Sequence, residues 1–128
     1  MKTLASVCAI TLGGLALTAC SIFGGGGSVT ALDPGYRALD AGDYGKARDV
    51  FAPAQAESPH DPYLQLDLGL AYQGLGQMNM AEPLYRQVLV DGRGVIPAVT
   101  TNPADAGRDL AYIACQNLRV GLKSNSAC

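Results

Sequence analysis

The sequence predicts an all-α protein made of helical hairpins, and two observations lead to this fold class. First, the stretch AGDYGKARDVF at 41–51 is echoed at 73–85, with Gly42 matching Gly76 and Phe51 matching Tyr85 at one constant spacing. Second, apolar residues recur at helical spacing in the second copy. They are Leu64, Leu68, Ala71, Tyr72 and Leu75 on one helix and Ala81, Leu84, Tyr85 and Val88 on the next. Each copy is therefore a pair of helices with faces to bury.

Prolines and capping side chains mark where the helices are expected to begin. Asp33-Pro34 predicts the start of the first helix, and Pro59 to Pro62 mark the start of the third. Pro53 predicts a kink or an early end in the second helix. Asn102-Pro103 begins a last helix over 103–121, which Gly121 ends and which would cap the stack. Its apolar stripe comprises Ala106, Leu110, Ile113, Ala114 and Leu118.

The spacing of the two copies and their residues resemble the tetratricopeptide repeat, a helical hairpin of about 34 residues. Leu68, Gly69 and Tyr72 match the pattern of a first helix, and Ala81 with Tyr85 matches that of a second. Residues 33–92 thus look like two tetratricopeptide-like repeats, followed at 93–128 by a loop, a capping helix and a tail. The resemblance implies a protein-protein interaction module that holds a peptide or helix of a partner in a groove lined by the first helices.

A second apolar row on the third helix is the candidate for that groove. Tyr63, Leu66 and Leu70 form it, and Tyr36 and Leu39 lie in the corresponding places of the first copy. The alternative is that residues 103–121 fold back over the row and make it part of the core. The sequence leaves both interpretations open.

The N-terminus has the pattern of an export signal over 1–19, with a positive start and a short apolar stretch. A membrane-spanning helix needs about 20 apolar residues, and this stretch is shorter. The residues LTAC at 17–20 resemble a bacterial lipobox, which implies that Cys20 carries the lipid anchor of the mature chain. In the same resemblance, Ser21 favours the outer membrane, with the protein facing the periplasm. Residues 20–32 contain four consecutive glycines and would form a tether beyond the lipidated cysteine.

Export also bears on the two cysteines near the C-terminus. In an oxidising compartment, Cys115 and Cys128 are candidates for a disulfide. The alternative is that Cys115 packs as a small core residue and Cys128 frays.

Composition and motifs narrow the function classes. The 128-residue chain has a net charge of −2, and its nine Lys and Arg are scattered, so we expect no nucleic-acid partner. His60 is the only histidine, and no catalytic set, phosphate loop or metal spacing accompanies it, so we expect neither an enzyme nor a cofactor or metal. We interpret four dispersed carboxylates as residues on solvated helix faces: Glu57, Asp67, Glu82 and Asp91. Besides a binding module, the open alternative is a self-associating envelope component.

Overall fold

The computed structural model describes residues 29–100 and 102–128, which form five α-helices and one 3-10 turn. The predicted signal peptide and Cys20 lie outside these residues. The helices are α1 (Val29–Asp40), α2 (Tyr44–Glu57), α3 (Pro62–Gly74), α4 (Met78–Asp91) and α5 (Leu110–Leu122), and the 3-10 turn is Pro103–Asp105. The fold is all-helical with tetratricopeptide-like repeats, as the sequence predicts.

The repeat period is reproduced in the helix bounds and in the turns. α4 begins and ends one full period after α2. The turns within each hairpin place Gly42 and Gly76 at φ +73°, a left-handed conformation that glycine adopts without steric cost. In the first turn the N–H of Asp43 donates to the carbonyl of Ala38, and in the second the N–H of Gln77 donates to that of Tyr72. Helices α1 and α3 thus end in the same glycine-containing cap.

An aromatic ring seated on a glycine joins the two helices of each hairpin. A Cβ atom on Gly35 would lie 2.7 Å from the Phe51 ring, and one on Gly69 would lie 2.6 Å from the Tyr85 ring. Both rings are fully buried. The two glycines are one period apart, as are the two rings. Packing therefore explains why glycine recurs at this position of the repeat, because only glycine lets the ring approach this closely.

Two hydrophobic clusters share α3 as their common wall. The first lies among α1, α2 and α3, and its buried members are Ala38, Ala47, Phe51, Leu64, Leu68 and Ala71. The second lies among α3, α4 and α5, and its buried members are Leu66, Ala81, Tyr85, Val88, Leu110, Ala114 and Leu118. α5 therefore caps the second hairpin by covering a face that a further repeat would otherwise bury.

Two expectations about where a proline begins or ends a helix are wrong. α1 begins at Val29 rather than at Pro34, so residues 29–32 belong to the helix and not to the tether. Pro34 lies within α1 and is exposed, and its missing N–H removes one hydrogen bond, to the carbonyl of residue 30 in the first turn. Pro53 is also exposed, and α2 continues past it to Glu57 instead of ending early.

The predicted single helix over 103–121 is also wrong, because it is interrupted. Asn102 caps only the short 3-10 turn, by accepting a hydrogen bond from the N–H of Ala104. The chain then turns, and α5 starts after a second cap, Asp109, which accepts from the N–H of Tyr112 at 2.9 Å. Of the predicted stripe, Leu110, Ala114 and Leu118 are buried on α5, whereas Ala106 precedes the helix and is exposed.

Candidate binding groove

A groove of about 950 Å³ opens between α1, α3, α5 and the segment 97–100. All five residues predicted from the sequence line it: Tyr36, Leu39, Tyr63, Leu66 and Leu70. The structure thus brings together residues from both copies of the repeat. They converge because α1 and α3 are equivalent helices of successive hairpins and both line the same groove.

Leu66 belongs to the floor of the groove and not to its accessible wall. Its side chain is 7 % exposed and packs in the second cluster beneath α5. At this one position, the C-terminal region therefore covers the apolar row of α3 and makes it part of the core, as the alternative interpretation of the sequence expects. Leu70, four positions further along α3, is only half-buried, and Tyr63 is 39 % exposed. The row is core at its centre and open on either side.

Two tyrosine rings form the accessible part of the wall near α1. Tyr36 is 37 % exposed, and its ring packs edge-on against Phe51 with 5.2 Å between the ring centroids. Because Phe51 is itself fixed on Gly35, the position of Tyr36 is determined by the hairpin core. Tyr63 lies in the first turn of α3, where Asp61 accepts a hydrogen bond from its backbone N–H. Both rings are therefore held on rigid elements while presenting surface to solvent.

The opposite wall is a loop whose role the sequence did not reveal. Pro97, Ala98, Val99 and Thr100 line the groove, and Val99 is 86 % exposed. Two hydrogen bonds, one of them to a side chain, hold the start of this loop against the N-terminus of α5. The N–H of Leu110 donates to the carbonyl of Val95 at 2.9 Å, and the N–H of Gly94 donates to the Asp109 carboxylate at 2.9 Å. The bonds that Asp109 accepts from Gly94 and Tyr112 lower its pKa, since both favour its charged form.

Asp67 is the carboxylate at the centre of the α3 wall, and its interpretation as a solvated residue is wrong. It is half-buried and lies beside the Tyr36 hydroxyl. Burial is the main cause that raises its pKa to about 7, and the charge of Asp61 raises it further. The interaction with the Tyr36 hydroxyl acts in the opposite direction and lowers the pKa. Burial also raises the pKa of Tyr36 to about 12, and the negative charge of Asp67 contributes. The pair places a partly buried carboxyl beside a phenol within an apolar groove.

Polar contacts join α3, which forms one wall of the groove, to α4. The Tyr85 hydroxyl donates to Gln73 Oε1 at 2.6 Å. Gln65 is fully buried, and its amide donates to the carbonyl of Pro59 at 2.7 Å and to the Asp91 carboxylate at 2.8 Å. The bond from Gln65 is the first cause of the lowered pKa of Asp91. Asp91 is thus a partner of α3 rather than a freely solvated charge.

His60 lies outside this groove, in the turn between the hairpins. Its Nδ1 is 3.3 Å from Asp91 Oδ2, and its side chain is almost fully exposed. Within residues 29–100 and 102–128, no group of three or more His, Cys, Asp or Glu side chains could hold a metal ion. In the same part of the chain, the helices are too short or too polar to cross a membrane.

The two C-terminal cysteines meet in the structure. The Sγ atoms of Cys115, on α5, and Cys128, at the C-terminus, are bonded, with 5.7 Å between the Cα atoms. Ala127 packs against the second hydrophobic cluster. The tail is thereby held against α5, next to the helix that closes the core.

The helices and the groove define a helical-hairpin scaffold with a groove on one face. The model of the tetratricopeptide repeat family matches residues 38–99, so this part of the chain is similar to that family. No curated protein and no solved structure matches the chain significantly. Tetratricopeptide repeats generally mediate protein-protein interaction and are typically non-catalytic scaffolds.

Proposed function

We propose that this protein is a lipid-anchored interaction module of the bacterial envelope, which holds a peptide or helix of another protein in the groove between α1 and α3. The observation that carries the proposal is the groove itself. It is large enough for several side chains, its tyrosines are accessible, and its walls are fixed by buried contacts. Pre-organised aromatic surface is the kind of surface that binds protein segments with little loss of conformational entropy.

The position of the module in the cell is the second part of the proposal. The sequence of residues 17–20 supports an acylated Cys20, and Ser21 after it favours the outer membrane, with the helices facing the periplasm. Several acyl chains on one cysteine anchor a protein firmly, whereas a single chain binds membranes only marginally. A periplasmic module of this kind suits assistance in assembling an envelope machine such as a pilus, secretion or export system.

The anchor is tested by replacing its thiol. Cys20→Ala should leave an uncut precursor that incorporates no radiolabelled fatty acid, while Cys8→Ala, the matched control, should be processed and labelled normally. Continued cleavage of Cys20→Ala at the same bond would contradict the lipid anchor.

The groove is tested by comparing co-purifying proteins for three forms of the chain. Tyr63→Ala combined with Leu70→Ala should lose the partner that wild type retains, because both side chains line the groove. Asp49→Asn is the control, since Asp49 lies on α2, is exposed and pairs with Arg48 outside the groove. Equal recovery with all three forms would place the partner elsewhere.

Self-association is the competing function, and the mass in solution separates it from the proposal. The purified full chain in a non-ionic detergent should sediment with one copy per micelle at every concentration. A mass that rises with concentration, and that falls when Tyr63 and Leu70 are replaced, would assign the groove to a second copy of the chain.

A further inference from the structure

The charge of the groove indicates which kind of protein segment it accepts. Three carboxylates line it, those of Asp40, Asp67 and Asp105, and none of the described residues that line it is Lys, Arg or His. The carboxylates come from three different elements, α1, α3 and the 3-10 turn. The groove is therefore negative on several sides of its opening, although the chain as a whole carries a net charge of only −2.

Asp67 is the carboxylate of the groove that would gain most from a positively charged partner. It is half-buried, it lies beside the neutral Tyr36 hydroxyl, and Asp61 adds a like charge. Burial is the main cause of its raised pKa, and the like charge of Asp61 adds to it. A cation placed at this point would supply the favourable charge that the lining of the groove does not contain.

The surroundings of Asp67 also suit the stem of a long cationic side chain. Tyr63 lies four positions before it on the same face of α3, and Tyr36 approaches from α1. Aromatic faces attract Lys and Arg, with the stronger preference for Arg. Leu39, Leu70 and Val99 provide apolar surface around these rings.

We propose that the groove selects a protein segment in which an Arg or Lys stands among apolar residues, with its cation on Asp67 and its stem between Tyr36 and Tyr63. This inference rests on the proposed function, since it specifies the partner of the same groove. Charge complementarity decides between the possible occupants: an acidic segment and an anionic lipid headgroup would both be repelled by the three carboxylates.

The test is a selection from a random peptide library on the immobilised full chain, with counter-selection on the form in which Tyr63 and Leu70 are both replaced by Ala. Peptides that depend on the groove should be enriched in Arg or Lys flanked by apolar residues. Replacing that cation in a selected peptide by Gln should weaken binding about tenfold, because a charge-assisted contact is lost. The same binding should also weaken at about 1 M salt, where the Debye length is about 3 Å.

Asp67→Asn is the decisive variant, because it keeps the size and an acceptor oxygen of the side chain and removes its charge. On this form the difference between the Arg and Gln peptides should fall below about twofold, while Asp49→Asn should preserve it in full. An unchanged preference on Asp67→Asn would overturn the assignment of the cation to this residue.

The outcomes separate this inference from the proposed function. Groove-dependent peptides without any enrichment in Arg or Lys would overturn the charge selectivity and leave the binding groove standing. No groove-dependent peptide at all, or a dimer of the unliganded chain whose groove is occupied by a second copy, would overturn both.

Discussion

Leu66 and Leu70 lie one helical turn apart on α3 and should respond very differently to truncation. Leu66 is 7 % exposed and packs against the second cluster, where Leu110 and Leu118 are buried almost completely. Leu70 is half-buried and faces the groove. Leu66→Ala therefore removes contacts in the core, whereas Leu70→Ala removes apolar surface that is already partly in contact with water.

The size of the difference follows from the number of carbons and from the space that they leave. Leu→Ala removes three carbons, each worth about 0.8 kcal/mol of burial, and a cavity adds to the loss. Since Leu66 is enclosed by α3, α4 and α5, we expect Leu66→Ala to lower the free energy of unfolding by about 3 kcal/mol or more, within the range of about 2–5 kcal/mol for buried leucines. At Leu70, water fills the vacated space and the loss should be about 1 kcal/mol.

The assay is urea unfolding of the full chain in a non-ionic detergent, followed by far-ultraviolet circular dichroism. With a urea dependence of about 1–3 kcal/mol per molar, Leu66→Ala should lower the midpoint by about 1 M or more and Leu70→Ala by clearly less. Leu66→Met is the matched control, because it conserves volume and should cost less than about 1.5 kcal/mol. Equal midpoints for the two alanine variants would refute the division of this row into a buried centre and an open end.

Three further predictions concern the hairpin core, the groove and the tail. Gly69→Ala should destabilise the fold by about 1–3 kcal/mol in the same assay, since its Cβ would lie 2.6 Å from the buried Tyr85 ring; a neutral effect would contradict that close contact. Asp67→Asn should make the chain more stable than wild type at pH 8, by on the order of 1–3 kcal/mol after allowance for solvent screening, and equally stable near pH 4. The sign follows because folding raises the pKa of this carboxyl from 3.8 to about 7, so wild type loses stability as the pH rises through that window; a difference that does not change with pH would contradict it. Non-reducing peptide mapping of exported protein should show Cys115 joined to Cys128, and its reduction should cost about 3 kcal/mol, whereas free thiols at both positions would refute the bond.

The sequence predicted the elements whose pattern is periodic. Gly42 and Gly76 fix the turns, and the aromatic residues at 51 and 85 fix the hairpin packing, so the fold follows from residues that recur once in each repeat. The same periodicity placed the five predicted residues on helices that line one groove, because equivalent helices present equivalent faces. Where a pattern is local and repeated, the structure can therefore be predicted from the sequence.

The errors occur where single residues gave conflicting signals. Pro34 is a strong helix-start signal, yet α1 extends before it because one missing hydrogen bond in an end turn is tolerated. Asn102-Pro103 caps a short turn, while α5 begins only after Asp109, whose carboxylate also binds the backbone of Gly94 in the preceding loop.

The features of the groove that were missed depend on tertiary contacts. Nothing local in residues 97–100 shows that they form a wall, since this follows from the pairing of Leu110 with Val95. Asp67 resembles any helix-surface carboxylate until Tyr36 from another helix is placed beside it.

Site-specific photo-crosslinking in living cells tests most directly whether the groove binds another protein. A photoreactive amino acid at position 70 lies in the groove, and one at position 49 lies on the outer side of α2 and serves as the control. We expect position 70 to form one discrete adduct, heavier than the chain by the mass of a different protein, and position 49 to form none. Adducts of equal yield at both positions, or a position-70 adduct with the mass of two copies of this chain, would contradict the binding of a separate partner in the groove.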